Sequence, residues 1–172
     1  IGDAGNAEMG ESTEGLLIFK KMLDQTNDPN AFAIFLGDNI YPVGMPPENT
    51  PERALAQHRI DVQVEAFADF EGTPIIIPGN HDWYNDGLNG LSREEEYIKE
   101  ITGKNDIFLP QDGCPLVSYD VSDEVHLILL DTQWYLEDWN KNPKINDNQF
   151  LFDYLKKDIK EKRKMGHLTT LK

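Results

Sequence analysis

Apolar residues follow two spacings along the chain, and the change between them separates helices from strands. Between residues 13 and 26 apolar side chains recur every three or four positions, which predicts an amphipathic helix with Thr13 as its N-cap. The short continuous apolar runs at 31–36 and 74–78 predict buried parallel strands instead. The first half of the sequence therefore alternates helix with buried strand.

Capping residues predict two further helices. Thr50 followed by Pro51 is typical of a helix start, and the helix that it predicts runs to about residue 70. Ser92 and Glu95 have the spacing of a capping box, which predicts a second helix that Gly103 ends. Both helices follow a predicted strand, as the covering helices of a layered sheet do.

The pattern changes after residue 115. Strand-like runs at 116–121 and 124–130, joined by Ser122-Asp123, predict a β-hairpin, and a last helix is predicted over 147–164. The whole pattern predicts an α/β (α+β) fold with a layered sheet and covering helices. We expect 1–172 to be a single domain truncated at both ends, since 168–171 begins like a strand that the chain does not complete.

Composition narrows the possible functions. The chain has 172 residues with 31 Asp and Glu against 16 Lys and Arg, a net charge of −15. Such acidity argues against a nucleic-acid partner, which needs a basic surface. The sequence contains no apolar run of about 18 residues, so no membrane span is predicted. Cys114 is the only cysteine, which excludes an internal disulfide and a thiolate metal site.

Three short motifs concentrate the residues suited to chemistry. They are 2–5 (Gly-Asp-Ala-Gly), 37–41 (Gly-Asp-Asn-Ile-Tyr) and 79–82 (Gly-Asn-His-Asp). Each follows a predicted strand or what reads as the end of one, and the carboxyl ends of strands are where ligand sites gather in open α/β sheets. Glycine beside each polar residue lets the backbone turn sharply and lets a ligand come close.

The side chains in these motifs suit a pair of metal ions. Asp3, Asp38, Tyr41 and Asn80 offer hard oxygen ligands, and His81 offers a nitrogen ligand or a proton donor. One carboxylate can bridge two cations, and two cations can clamp the attacking and leaving oxygens of a phosphoryl displacement. A tyrosinate ligand favours a trivalent cation such as Fe³⁺. The residue types alone therefore point to a two-metal site.

These motifs resemble those of the calcineurin-like metallophosphoesterases. Within that superfamily the order GDAG, GDNIY and GNHD is similar to the first three blocks of the purple acid phosphatases. Tyr41 separates that branch from the wider superfamily, where the position is an acid or Asn. The segment 130–134 also resembles a strand and loop of bacterial members, so the resemblance extends over nearly the whole chain.

The resemblance implies a function and a role for each residue. Asp3 and Tyr41 would bind Fe³⁺, Asp38 would bridge both metals, and Asn80 would bind a divalent ion, which is Fe²⁺, Zn²⁺ or Mn²⁺ in the family. His81 would be the catalytic proton donor or phosphate ligand. The implied activity is that of an acid phosphatase-like monoesterase, in which a metal-bound hydroxide attacks a small phosphorylated substrate. Many members of the family are exported, but the sequence does not decide the compartment.

The sequence also departs from the family pattern. Two later blocks that supply three histidine ligands are missing, because Gly166-His167 continues with Leu168-Thr169 and not with a second histidine. We therefore expect the native protein to continue beyond Lys172 and the 172-residue chain to be inactive. Two alternatives stay open: a phosphodiesterase or pyrophosphatase on the same fold, and a non-catalytic binding module with a degenerate half-site.

Overall fold

Helices and strands alternate through the residues that the computed structural model describes, which are 1–26, 28–137, 153 and 156–161. The chain divides into two units, Ile1–Gly113 and Cys114–Lys172, and each is described by itself. The expectation of one truncated domain over 1–172 stays a prediction. The elements in chain order are α1 (Glu14–Asp24), β1 (Phe32–Leu36), α2 (Arg53–Ala66), β2 (Thr73–Ile77), α3 (Leu88–Thr102), β3 (Leu116–Asp120) and β4 (His126–Leu130).

The first unit is built on the parallel pair β1 and β2, in register from Phe32 opposite Thr73 to Leu36 opposite Ile77. Further segments extend this pair on both sides. The backbone of Ile1 bonds to β1 on one side, and Phe108 forms a parallel bridge with β2 on the other. The motifs 2–5, 37–41 and 79–82 therefore follow adjacent extended segments at one edge, as the sequence predicts.

Apolar burial explains why these segments pair. Ile75 and Ile76 of β2 are consecutive and fully buried, as expected for a continuous apolar run that is covered on both faces. Strand β1 instead buries Ala33 and Phe35 on one face and exposes Leu36. Helix α1 buries Leu16 and Leu23 on one face, and its N-cap Thr13 accepts a hydrogen bond from the Leu16 amide at 3.3 Å. The burial of these apolar side chains positions the loops at the strand ends.

Two predicted helix starts are wrong. Helix α2 begins at Arg53 and not at Thr50, because the Thr50 hydroxyl donates to the Pro47 carbonyl and does not cap the helix. Helix α3 begins at Leu88, so Ser92 lies inside the helix and does not open it. The predicted stop at Gly103 is confirmed, since this residue adopts the left-handed conformation at the C-cap.

The second unit contains the predicted hairpin. Strands β3 and β4 pair antiparallel, from Leu116 opposite Leu130 to Asp120 opposite His126. Residues 153 and 156–161 are helical, and the rest of the helix predicted over 147–164 lies outside the described residues, as does 168–171.

The described strands form two sheets of two strands each. A mixed α/β fold is therefore confirmed, whereas the layered calcineurin-like sheet is not shown by the part of the chain that is described. Among the described residues, no helix has the length and apolar content needed to cross a membrane.

Candidate metal site

The three motifs meet at the carboxyl edge of β1 and β2. The Gly5 amide donates to the Asp38 carbonyl at 3.0 Å, and the Tyr41 amide donates to the Gly5 carbonyl at 2.9 Å. Gly37 and Gly79 lie back to back, so that a Cβ on Gly37 would be 2.6 Å from the Gly79 Cα. Only glycine permits this approach, and it brings the second and third motifs together.

Tyr41 lies between the two aspartates that the sequence selected. Its hydroxyl oxygen is 2.5 Å from Asp3 Oδ1 and 2.8 Å from Asp38 Oδ2. These two hydrogen bonds and burial raise the pKa of the Tyr41 phenol, and the bond to Asp3 is the largest cause. The phenol therefore keeps its proton while the two carboxylates stand on either side of it.

The third motif contacts the other oxygen of the same carboxylate. The His81 amide donates to Asp38 Oδ1 at 3.1 Å, and the imidazole stacks at a tilt on the Tyr41 ring with centroids 4.3 Å apart. His81 Nδ1 is 2.6 Å from the Pro42 carbonyl oxygen, so Nδ1 carries a proton and Nε2 is the nitrogen left for a ligand. Asn80 Nδ2 donates to the Tyr84 hydroxyl at 2.6 Å.

Both aspartates adopt a backbone conformation that is uncommon for residues other than glycine. The φ angle is 55° at Asp3 and 56° at Asp38. Aspartate tolerates this left-handed region better than most residues because its side chain bonds locally. Asp86 and Asp112 share the positive φ and lie outside the three motifs, so this conformation does not identify a site by itself.

Two of the motif residues for which the sequence predicts no role, Asn39 and Asp82, are buried together with Glu94 of α3. Asp82 is fully buried and accepts hydrogen bonds from the amides of Asn39, Ile40 and Gly79 at 2.9, 3.0 and 2.7 Å. The Asn39 side chain donates to Asp82 Oδ2 at 3.2 Å and to Glu94 Oε1 at 3.1 Å. Asn39 therefore links two buried acids.

The environment of each buried acid sets its charge. Burial raises the pKa of Asp82 to about 7, and the amides of Gly79 and Ile40 oppose that rise. Burial raises the pKa of Glu94 well above its ordinary value, and the neighbouring Asp82 adds to the rise. Because Asp82 receives four N–H groups and Glu94 receives the amide of Asn39, Asp82 ionises first and Glu94 keeps its proton.

Helix α2 supplies the remaining support for the second motif. Gln63 Nε2 donates to the Asn39 carbonyl at 2.8 Å, and the Arg59 guanidinium donates to the carbonyls of Ala7 and Tyr41. Burial lowers the pKa of Arg59. A single helix therefore bonds to the backbone of the second motif and to the residues that follow the first.

In the second unit, the buried side chain of His126 lies between two acids. Its Nδ1 is 2.8 Å from Asp120 Oδ1, and its Nε2 is 2.9 Å from Asp158 Oδ2. In the same unit the Trp134 amide donates to Asp131 Oδ1 at 3.2 Å. These contacts join the hairpin to neighbouring segments of its own unit.

Where the structure describes the chain, no three His, Cys, Asp or Glu side chains are grouped to hold a metal ion. The cluster at the sheet edge instead combines two carboxylates with a phenol, a nearby amide and an imidazole. The iron and zinc that the family resemblance implies are therefore not supported by a group of His, Cys, Asp or Glu side chains among the described residues.

Comparison with protein families contradicts the expected assignment. A search of curated proteins finds no match. The family model that matches describes the phosphoribosylaminoimidazole carboxylase C-terminal domain. The expected calcineurin-like, purple acid phosphatase-like family is therefore wrong, and so are the activity of a metal-dependent phosphatase, the phosphodiesterase or pyrophosphatase and the degenerate half-site module.

A physical reason for the wrong assignment lies in the motifs themselves. Glycine and aspartate are the residues that tight turns at strand ends require, so short Gly-Asp blocks arise without shared ancestry. The family match covers residues 129–172, about a quarter of the chain. It begins at the end of β4, and the three motifs lie outside it. In that C-terminal stretch, the chain is similar to the phosphoribosylaminoimidazole carboxylase C-terminal domain.

Proposed function

We propose that the first unit binds metal cations through Asp3, Asp38, Tyr41 and Asn80. The support for this proposal is that oxygens of Asp3, Asp38 and Tyr41 lie within hydrogen-bond distance around a single phenolic hydrogen. The Tyr41 hydroxyl has one hydrogen, yet it lies within hydrogen-bond distance of two carboxylates. One hydrogen cannot point at both carboxyl groups at once, and a cation between these oxygens would supply positive charge that the cluster lacks.

The donor set fits a hard cation. Carboxylate and phenolate oxygens are hard ligands, and a bound cation reverses the local pKa pattern because it favours the deprotonated phenol. A trivalent ion such as Fe³⁺ suits Asp3, Asp38 and Tyr41 together. Asp3 is exposed and Asp38 and Tyr41 are half-buried, so the oxygens are accessible from solvent.

The two oxygens of Asp38 support a second, divalent ion. Oδ2 faces Tyr41, whereas Oδ1 faces the third motif, where Asn80 adjoins His81. A carboxylate with this arrangement can bridge two cations. Asn80 uses its Nδ2 on Tyr84, which leaves its carbonyl oxygen as a ligand atom for Fe²⁺, Zn²⁺ or Mn²⁺.

His81 is the proton carrier of the proposed site. With Nδ1 bonded to the Pro42 carbonyl, Nε2 would exchange a proton with an anion held at the cations. A small phosphorylated compound is the kind of anionic partner that such a site would attract. A nucleic acid is not, given the net charge of −15.

The test uses the 172-residue protein and Fe³⁺ supplied as its citrate complex. We expect about one tightly held iron per chain and a visible absorption band from tyrosinate-to-iron charge transfer. Tyr41→Phe should abolish the band, and Tyr84→Phe, which changes a neighbouring phenol, should keep it. Iron that elutes away from the protein on gel filtration, with no band, would show that the proposal is wrong.

The second ion has its own test. We expect the iron-loaded protein to bind Zn²⁺ or Mn²⁺ in calorimetry, and Asn80→Ala to weaken that binding while the visible band remains. Equal affinity in the variant would remove Asn80 from the ligand set.

The family match favours a second candidate, a role in a phosphoribosylaminoimidazole carboxylase. Its support is the similarity over residues 129–172. The substrate that the family name implies is itself a small phosphorylated compound. Carboxylation of phosphoribosylaminoimidazole by the purified chain would support this candidate, and failure to bind that compound in calorimetry would reject it for this chain.

A further inference from the structure

The side chain of Asp82 forms hydrogen bonds with the backbone of two loops. Its carboxylate accepts the amides of Asn39 and Ile40 from the second motif and the amide of Gly79 from the third. Oδ1 faces the second motif and Oδ2 is closest to Gly79, so the two oxygens bond to different loops. The side chain is fully buried, so its bonds to the amides of Asn39 and Ile40 are shielded from solvent.

The amides that Asp82 holds lie between the proposed metal ligands. Asn39 and Ile40 are the residues that separate Asp38 from Tyr41, and Gly79 precedes Asn80. A shift of these backbone amides would move the Asp38 carboxylate and the Tyr41 phenol relative to the side chain of Asn80. Ligand oxygens must lie within a few tenths of an ångström of their positions for a cation to be held well.

We infer that Asp82 is a positioning residue that sets the relative placement of the second and third motifs and thereby the affinity of the site for cations. The inference rests on the proposed function, but its structural part can be measured without any metal. Asp82 does not contact a cation in this account. It acts through the backbone that bears the ligands.

Glu94 provides the matched comparison. It is buried as completely as Asp82 and bonds to the same Asn39 side chain. Its contact is with a side chain, whereas Asp82 bonds to the backbone of both loops. A general effect of disturbing the buried acids would appear in both, and a positioning effect would appear at Asp82 alone.

The first measurement is amide hydrogen exchange in the metal-free 172-residue protein. We expect Asp82→Asn to speed exchange at Asn39, Ile40 and Gly79, because the amide side chain has one acceptor oxygen where the carboxylate has two. Glu94→Gln should leave these amides protected. Unchanged protection in Asp82→Asn would overturn the inference whether or not the protein binds a metal.

The second measurement is the dissociation constant for Fe³⁺, read from the visible band. Loss of a residue that orients metal ligands reduces affinity by about 10–100-fold, and we expect that loss in Asp82→Asn. Glu94→Gln should change the constant by less than about threefold. Equal losses in the two variants would overturn the inference, whereas failure of the wild-type protein to bind iron would overturn the proposed function and leave the exchange result to decide on Asp82.

Asp82→Glu covers the case in which Asp82→Asn does not fold. It keeps the charge but moves the carboxylate by one methylene, so we expect partial protection of the three amides and an intermediate affinity. Full wild-type protection and affinity in this variant would show that the position of the carboxylate does not matter, contrary to the inference.

Discussion

Two groups of acids lie beside each other in the first unit and differ in what they bond to. Asp3 and Asp38 stand near the surface and share one phenolic proton with Tyr41. Asp82 and Glu94 are fully buried and bond to amide groups of the same loops. The outer acids are open to a ligand from solvent, whereas the inner acids serve the fold.

The difference shows that residue type does not decide the role of an acid. A buried carboxylate costs free energy unless N–H groups compensate it, and Asp82 receives four of them. An outer carboxylate needs no such compensation, because water or a cation can provide it. Each of the following changes tests one side of this comparison.

Removal of the buried Asp82 carboxylate should have the largest effect on stability. We expect Asp82→Ala to lower the free energy of unfolding by about 3 kcal/mol or more, because the buried amides of Asn39 and Ile40 and the part-buried amide of Gly79 lose their acceptor. Urea unfolding of the 172-residue protein measures it. Asp69→Ala is the control: Asp69 is exposed and pairs with Lys20 at 3.7 Å, so about 0–1 kcal/mol is expected. A similar loss in both variants would contradict the distinction between buried and exposed acids.

The next effect comes from the contact between the loops. Gly37 and Gly10 both have positive φ, at 91° and 80°, but a Cβ would clash with Gly79 only at Gly37. We expect Gly37→Ala to cost about 2 kcal/mol more than Gly10→Ala, since the second change carries the backbone strain without the overlap. If thermal or urea unfolding shows the same loss of stability in Gly37→Ala and Gly10→Ala, the overlap with Gly79 is relieved without a free-energy cost.

The protonation of Glu94 should appear as a pH dependence. Its pKa is raised in the folded state, so the folded protein keeps a proton that the unfolded chain releases above the ordinary value of 4.5. Stability is therefore lost as pH rises above that value toward the raised pKa. Glu94→Gln cannot lose this proton, and its stability relative to the wild-type protein should increase with pH.

The control for Glu94 is Glu96→Gln, which changes an exposed acid on the same helix. The difference between this variant and the wild-type protein should stay nearly constant from pH 5 to pH 8. Parallel stability curves for Glu94→Gln and the wild-type protein would mean that Glu94 is ionised in the folded state.

The smallest effect concerns the outer acids alone. We expect Asp3→Asn to lower the pKa of the Tyr41 phenol in the metal-free protein, because the bond to Asp3 is the largest cause of its rise. Ultraviolet titration of tyrosinate measures the change. Asp61→Asn is the matched control, since it should lower the pKa of Tyr97 and leave that of Tyr41 in place. An unchanged pKa of Tyr41 in Asp3→Asn would show that Asp3 does not interact with the phenol.

The sequence predicted a role for the outer acids but not for the inner ones, although Asp82 is the last residue of the third motif. Glycines and apolar runs placed Asp3, Asp38 and Tyr41 at strand ends, because turn chemistry and burial are local properties. The role of Asp82 depends on amides of Asn39 and Ile40, far along the chain, and no local pattern reveals such a contact.

Glu94 did leave a signal in the sequence. Leu91, Glu94 and Ile98 recur at spacings of three and four, which places the acid on the buried face of α3. The capping box read at Ser92 and Glu95 hid this pattern, because it moved the predicted start of the helix. The family assignment is wrong for a related reason, because short turn motifs carry less information about ancestry than longer patterns do.

The contact of Gly37 with Gly79 also has a consequence for the order of folding. Parallel strands such as β1 and β2 cannot be joined by a tight turn, so their pairing waits for the long connection through α2 to close. Any ligand that needs both loops can therefore bind only after this register has formed. Such a ligand would not nucleate folding. It would stabilise the chain only after β1 and β2 have paired, and the melting temperature would rise with its concentration.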